Sequence, residues 1–551
     1  MEQFDTIIIG SGVGGLATGI CLARAGQKVL VLEQHYVPGG WSHSFTLNGQ
    51  RFSPGVHYVG YIDEGQSTNQ LYRGLGIAND LVFFRMNKNG YEHCVIGDKT
   101  FDFPAGIENL KYKLALQFPK EEKNIKKYLS LVQKVNEELL LMPTLKGWWQ
   151  KITVPFRTKH FGKYALFPLK KVVGWHLKDP LLKAIINIQC GDHGLPPDRA
   201  CFPVHCSVMN HYFDGGFYPM GGGGGIVKAM TNAIKRHGGE VRVEKMVKKI
   251  IIENKKAIGI QLKNGEKIFA KTIVSNADPS ITYLNLIGKE HLSKSLLKKL
   301  ENTKYSVTSL ILFLTLEIDV TKFGIDSGNI WMMKNENDDA NFNQLMQETI
   351  TEGESFPALF MSCTTLKDPV SFNGSYHNFE VVTYVDYNKL PDFKNTKNYQ
   401  TPEYLEFKQK VIAKFLNNVE KVIPNAKQHV IQVELGTPKT NEYYINSTNG
   451  NVYGTEKKLT QVGPFSFKNK SEIENLYLCG ASTLSHGVGG ATHSGVSTAA
   501  IILNCEKDDL IIEDPNQKIR IYDAEDKSTW DEWIYTKRAD KIRTFKRIKQ
   551  N

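Results

Sequence analysis

The stretch from Thr6 to Glu33 narrows the folds open to this chain more than any other. Thr6-Ile7-Ile8-Ile9 is a β-branched run of the kind buried on both faces of a parallel sheet. Gly10-Ser11-Gly12-Val13-Gly14-Gly15 follows, then helical periodicity from Leu16 to Ala25, then a second apolar strand from Lys28 to Leu32. Gly10, Gly12 and Gly15 satisfy G-x-G-x-x-G in a strand–turn–helix setting, with Gly14 in the same turn. The first glycine permits a tight turn and the second lets backbone approach a pyrophosphate. The third lets the helix pack closely on the strand, while the helix N-terminus stabilises phosphate charge. Glu33 closes the second strand, where a carboxylate accepts hydrogen bonds from a ribose 2′-hydroxyl and repels a phosphate. The expected fold class is therefore α/β with a Rossmann-like dinucleotide unit. Gly10, Gly12, Gly14, Gly15 and Glu33 are its contacts.

At 551 residues the chain has room for about three or four domain-sized units, fewer if one core is discontinuous. Charged residues at 23% and hydrophobic ones at 41% supply a sizeable core and exclude a disordered or collagen-like chain. No run of about 18 apolar residues occurs, so no transmembrane helix is expected. The acidic, glycine-broken N-terminus does not read as a secretory signal. Eight cysteines without a C-x-x-C pair indicate neither a disulfide framework nor a zinc module. Cys201, His205 and Cys206 match no common ligand spacing, so no metal is expected. The expected setting is reducing: cytoplasmic, either soluble or peripheral to a membrane.

NAD- and FAD-binding chains share the first fingerprint, and the next residues separate them. Gly39-Gly40 stands five residues beyond Glu33, giving E-x5-G-G. This diglycine resembles the extended FAD signature of the amine oxidase and phytoene desaturase superfamily, where it turns the chain beside the FAD pyrophosphate and ribityl. Gly40-Trp41-Ser42-His43-Ser44-Phe45 and Phe52-Ser53-Pro54-Gly55-Val56-His57-Tyr58-Val59-Gly60 are similar to the flavin-flanking loop of one branch. That branch holds retinol saturase, carotenoid isomerase and the phytoene desaturases, and it tolerates a non-basic residue such as Trp41 after the diglycine. Phe217-Tyr218-Pro219-Met220-Gly221-Gly222 resembles the family's Y-P-x-G-G turn, and Val247 stands where the family's backbone meets adenine. Gly436-Thr437-Pro438-Lys439-Thr440, with Val452-Tyr453-Gly454 after it, resembles G-T-P-x-T…Y-G. Leu476-Tyr477-Leu478-Cys479-Gly480, Gly487-Val488-Gly489-Gly490 and Ser494-Gly495 look like the C-terminal FAD motif. The resemblance carries Gly480, Gly487, Gly489 and Gly490 over as cofactor contacts. Amine oxidases place an acid after the first of these glycines; Ala481 stands here, as often in the desaturase branch.

The resemblance implies a discontinuous FAD-binding domain of the glutathione reductase-like, amine oxidase type, beside a substrate domain of mixed sheet and helices. The expected divisions are 1–62, 215–285 and 470–505 for FAD, 63–214 and 286–469 for substrate, and 506–551 as a charged tail. Within the substrate blocks, periodicity expects helix over 107–141 and 404–422, and strands over 306–316 and 379–387.

Lys146 to Lys178 carries eight basic residues and no acid between, interleaved with Trp148, Trp149, Phe156, Phe161, Tyr164, Phe167 and Trp175. That mixture suits a bilayer interface, with rings at headgroup depth and cations on anionic lipid. A helix pair with core rings and solvated lysines, or a single-stranded nucleic-acid surface, would read similarly. The modest, localised basic balance argues against nucleic acid, and a membrane surface is the expected partner.

The flavin of such a chain supplies the redox step, and the protein holds a substrate carbon beside it and excludes water. Saturating a double bond takes a hydride and a proton, so candidate donors were sought near the flavin. His57 and Tyr58 come first, then Tyr453, His486 and His493. The expected activity is an FAD oxidoreductase acting on carbon–carbon double bonds of a long apolar polyene, by retinol saturase-like reduction. Carotenoid desaturation or cis–trans isomerisation is the alternative. A flavin-free binding module for prenylated proteins, which shares the fold, is the different class. An NAD or NADP electron donor stays open, since no second fingerprint is visible.

Overall fold

β1 (Gln3–Ile9), α1 (Val13–Arg24) and β2 (Val29–Leu32) form as the opening pattern requires, in a computed structural model that describes residues 3–142, 148–391, 401–512 and 514–550. β1 lies between two parallel partners, with Ile8 opposite Val31 of β2 and Val274 of the strand Lys267–Ser275. The sheet runs in the order Val247–Glu253, Lys256–Leu262, Lys267–Ser275, β1, β2, Glu240–Arg242, with Leu476–Leu478 added alongside Lys267–Ser275. Alternate residues feed opposite layers, as pleating demands. Ile8, Val29 and Val31 pack under α1 and the helices Gly223–Arg236 and Gly487–Leu503. Ile7, Ile9, Leu30 and Leu32 pack toward Tyr283 and Leu286. A sheet covered on both faces explains why these strands read as unbroken apolar runs.

A second sheet has the order Val430–Gly436, Thr308–Leu316, His377–Val385, Ala358–Cys363, Asn329–Met333, Glu92–Ile96, Lys99–Phe103. It is antiparallel except where Asn329–Met333 runs parallel to Glu92–Ile96. Every residue of Thr308–Leu316 is buried. Leu310, Leu312 and Leu314 face Phe407, Val411 and Phe415 of the helix Pro402–Val419, whose cap Thr401 accepts from Tyr404 N. Ile311 and Phe313 face a helical layer carrying Tyr128, Val132, Val172, Ile185, Phe202 and Met209. The molecule is thus α/β, a dinucleotide-type sheet beside a mixed sheet with helices.

One expectation needs correction. Residues 506–551 are no free tail: Arg520–Asp523 pairs in parallel with Val82–Arg85, and Trp530 and Ile534 are buried against Phe84 and Tyr522. A few apolar side chains suffice to dock a segment whose composition is otherwise charged. The helix after the Tyr218-Pro219-Met220-Gly221-Gly222 turn begins at Gly223, inside the five-glycine run Gly221 to Gly225. That run is a close approach: a Cβ on Gly223 would lie 2.5 Å from Ser42 O. Among the described residues no helix is long and apolar enough to cross a membrane.

Candidate active site

The three glycine clusters meet at the C-terminal end of β1. Gly15 packs so closely that a Cβ there would lie 2.3 Å from Gly10 O. Gly39 N donates to Ser11 Oγ at 2.9 Å, which lays the second diglycine on the first turn. Ser11 N and Oγ donate to Glu33 Oε2 at 3.0 and 2.5 Å, and His35 N donates to Oε1 at 2.9 Å. The acid at the end of β2 is thereby fixed against the turn. Lys245 N donates to Glu33 O at 2.7 Å, which sets Val247 at the adjoining edge. From the far end of the chain, a Cβ on Gly14 would lie 3.0 Å from Gly480 Cα, and one on Gly495 would lie 2.1 Å from Gly14 O. Asn276 fills the centre: Cβ atoms on Gly12, Gly14 and Gly480 would each come within 2.6–2.8 Å of its amide.

This cradle fits a dinucleotide. α1 and the helices Gly223–Arg236 and Gly487–Leu503 each start without a side-chain cap and without an acid in the first turn. The first N–H groups of α1 and of Gly487–Leu503 suit phosphate and a flavin carbonyl, whereas Gly223 N and Gly224 N donate to Ser53 Oγ and Ser44 Oγ, both at 2.9 Å. Cβ atoms on Gly487 and Gly489 would meet nothing, whereas one on Gly490 would lie 2.7 Å from Ser485.

Beyond the cradle lies a buried polar network around Gly191 and Asp192. Tyr58 OH donates to Asp192 Oδ2 at 2.6 Å, and its ring stacks on Tyr212 at 4.0 Å. Tyr384 and Tyr453 donate to Gly191 O at 2.6 and 2.9 Å. His486 Nε2 reaches Asp192 O at 3.0 Å, and its ring meets Tyr453 edge-on. Burial, with Asp192 and Glu92 adding to it, pushes the Tyr58 phenol well up. Burial, then Lys457, drives His486 down to about 3, so it stays neutral. A second cluster adjoins it. His57 Nδ1 pairs with Glu380 Oε2 at 3.0 Å, while Lys367 Nζ donates to His57 O at 2.8 Å and to Ser362 Oγ at 2.7 Å. Burial pulls Lys367 down to about 7 against the attraction of Glu380. The Glu92 carboxyl is pushed up to about 7 by burial.

Against Gly191 and Tyr384 lies a narrow cavity of about 80 Å³, walled by Cys190, Leu195, Trp331, Phe360 and Val382. An apolar slot with one phenol, Tyr384, in its lining is suited to handling a proton on a carbon chain while water is kept out.

The structure brings the cradle residues Gly10, Gly12, Gly14, Gly15, Glu33, Gly39, Gly40 and Gly480 together, with Val247 and the helix end at Gly487, Gly489 and Gly490 beside them. Tyr58, Tyr453 and His486 join one network; His57 belongs to the adjoining Glu380 cluster, and none of the network's bonds involves His493. Sequence reasoning missed Ser11, Asn276, Asp192, Tyr384 and Glu380. Asn276 could have been suspected from its position directly after a core strand, and Asp192 from the Gly191-Asp192-His193-Gly194 turn.

The chain matches the family described as "Flavin containing amine oxidoreductase" over residues 13–503. It is 27% identical to the all-trans-retinol 13,14-reductase of Danio rerio, covering 91% of this chain and 86% of that one. It is also 27% identical to prolycopene isomerase 1, chloroplastic, of an Oncidium hybrid cultivar, covering 90% and 83%. In fold it resembles the crystal structure of an oxidoreductase from Methanosarcina mazei, with a TM-score of 0.60, 16% identity, and 90% and 99% of the two chains covered. With the match running from Val13 to Leu503, the chain belongs to the flavin containing amine oxidoreductase family, and its cofactor is FAD.

Proposed function

We propose that this protein reduces a carbon–carbon double bond of a long apolar polyene in the manner of retinol saturase. The observation that carries the reading is the apolar slot walled by Trp331 and Phe360, with the Tyr384 phenol in its lining and the Tyr58–Asp192 bond on the adjoining turn. Similarity to retinol reductases and carotenoid isomerases supports the same substrate class. The cradle residues from Gly10 to Glu33, Gly39, Gly40, Val247, Gly480, Gly487, Gly489 and Gly490 would hold FAD. Bound and reduced, FAD supplies the hydride. The residues do the rest. Trp331, Phe360 and Val382 align the chain and exclude water. Tyr58, which keeps its proton through burial, delivers that proton to the neighbouring carbon, and Asp192 orients its hydroxyl. His57, oriented through Nδ1 by Glu380, is the alternative acid. Segments 1–62, 215–285 and 470–505 would then serve the cofactor, and 63–214 and 286–469 the substrate.

Anaerobic incubation of the reduced holoenzyme with retinol and with several carotenes, read by product mass, tests the proposal. A gain of H2 is expected. A loss of H2 from the oxidised enzyme would establish a desaturase, and unchanged mass with altered retention an isomerase; either would overturn the reading. Full turnover in Tyr58→Phe with FAD bound would remove Tyr58 as donor, and the same result in His57→Gln would remove His57.

We also propose that the segment ending at Lys178 rests on a membrane surface. Phe156, Leu166 and Trp175 are exposed at 82%, 78% and 56%, among lysines of which Lys170 is paired with Asp339. The side chains of Lys146, Trp148, Trp149 and Lys151 lie outside the described residues. Each cation near anionic lipid contributes about 1 kcal/mol. Sedimentation with phosphatidylserine vesicles should carry the protein down, and Phe156→Ser with Leu166→Ser should leave it in the supernatant. No sedimentation of the wild-type chain would refute this.

A further inference from the structure

We infer that Cys190, His193 and His205 form a buried zinc site that fixes the turn carrying the proton network. Cys190 and His193 lie three apart on the 3₁₀ segment Ile188–His193, where side chains at that spacing eclipse and share a face. That face meets His205 on the helix Phe202–Tyr212. The three ligand atoms lie within 4.8 Å of one another, and the residues are 9%, 1% and 0% exposed.

Without an ion, two groups compete for one lone pair. His205 Nε2 faces Ile186 O at 3.3 Å and donates to it, which leaves Nδ1 as a single lone pair. Two groups converge on that lone pair: His193 Nε2 at 3.3 Å and Cys190 Sγ at 3.9 Å. Only one of them can donate to it well. A bound cation resolves the competition by accepting all three lone pairs. Anchoring of the second imidazole nitrogen on a backbone carbonyl, as in His205, is also how metal-binding histidines are oriented.

The dimensions suit zinc. With Zn–N at about 2.0–2.1 Å and Zn–S at about 2.3 Å, tetrahedral ligands lie about 3.3 Å apart for N···N and about 3.6 Å for N···S. The observed separations are 3.3 and 3.9 Å. One thiolate with two imidazoles selects zinc over magnesium or calcium, which take oxygen ligands. The fourth position would open toward the apolar slot, which Cys190, Gly191 and Gly194 line. The ion would clamp the turn at both ends of Gly191 and Asp192, whose oxygens hold Tyr384, Tyr453 and Tyr58.

The test uses the FAD-loaded full chain, purified without chelators and then incubated with Zn²⁺ or Co²⁺. Elemental analysis should give about one zinc per chain, and cobalt should produce a thiolate-to-metal absorption band with tetrahedral d–d transitions. Cys190→Ser should lose the band and at least about tenfold in zinc affinity, at unchanged flavin absorbance per chain. Cys201→Ser, outside the cluster, should keep both. A wild-type chain that carries flavin but takes up no zinc, or cobalt binding without a thiolate band, would overturn the inference. So would zinc retained undiminished in Cys190→Ser.

Discussion

His93 is clamped between two carboxylates, Asp102 at 2.8 Å on Nδ1 and Asp326 at 2.9 Å on Nε2. Burial alone would lower its pKa, but the bonds to Asp102 and Asp326 outweigh it and raise the imidazole from 6.5 to about 9. A raised histidine stabilises the fold fully below its unfolded value and loses that contribution as pH climbs through the folded one. Unfolding free energy should therefore fall by about 3 kcal/mol between pH 6.5 and 9 from this residue. His93→Gln should flatten the profile in urea titrations across that window. At the proposed proton donor, Tyr58→Phe removes one hydroxyl while retaining the stack on Tyr212. We expect turnover to fall by about 10²–10⁴ with FAD still bound, measured by single-turnover reoxidation. Gly15→Ala should abolish flavin binding, because its methyl would strike Gly10 O at 2.3 Å. The cradle glycines and Glu33 were readable because phosphate approach restricts residue type and spacing together. Asp192 and Glu380 were not, because a single buried acid leaves no periodic trace and gains meaning only from partners 134 and 323 residues away.

Elements that answer to one local rule were legible, and those defined by long-range docking were not. Thr308–Leu316 and Pro402–Val419 follow their sequence periodicities, since each buries faces set by its own repeat. Arg520–Asp523 does not: its four residues become a strand only because Val82–Arg85 offers an edge. Docking beyond it depends on Trp530, 7% exposed, whose Nε1 donates to Asp523 O at 2.7 Å. Trp530→Ala should cost about 3–5 kcal/mol in thermal or denaturant unfolding. Flavin content per folded chain should not change, because Trp530 packs with Phe84, Tyr522 and Ile534 and against none of the cradle glycines.

Across the whole molecule, Thr18 Oγ1 donates to Gly495 O at 3.0 Å, a bond that spans 477 positions. Because FAD binds only the assembled cradle, stripping it should lower the unfolding midpoint. At free FAD 100 times its dissociation constant, the lost stabilisation would be about 2.7 kcal/mol. The seam between Gly14 and Gly495 also sets an order of events during synthesis. A ribosome delivers the opening turn first and must translate almost everything else before its counterpart emerges. Until then the growing polypeptide has half a nest and stays colourless. Any premature stop upstream of Gly495 would yield a product that never acquires its yellow pigment.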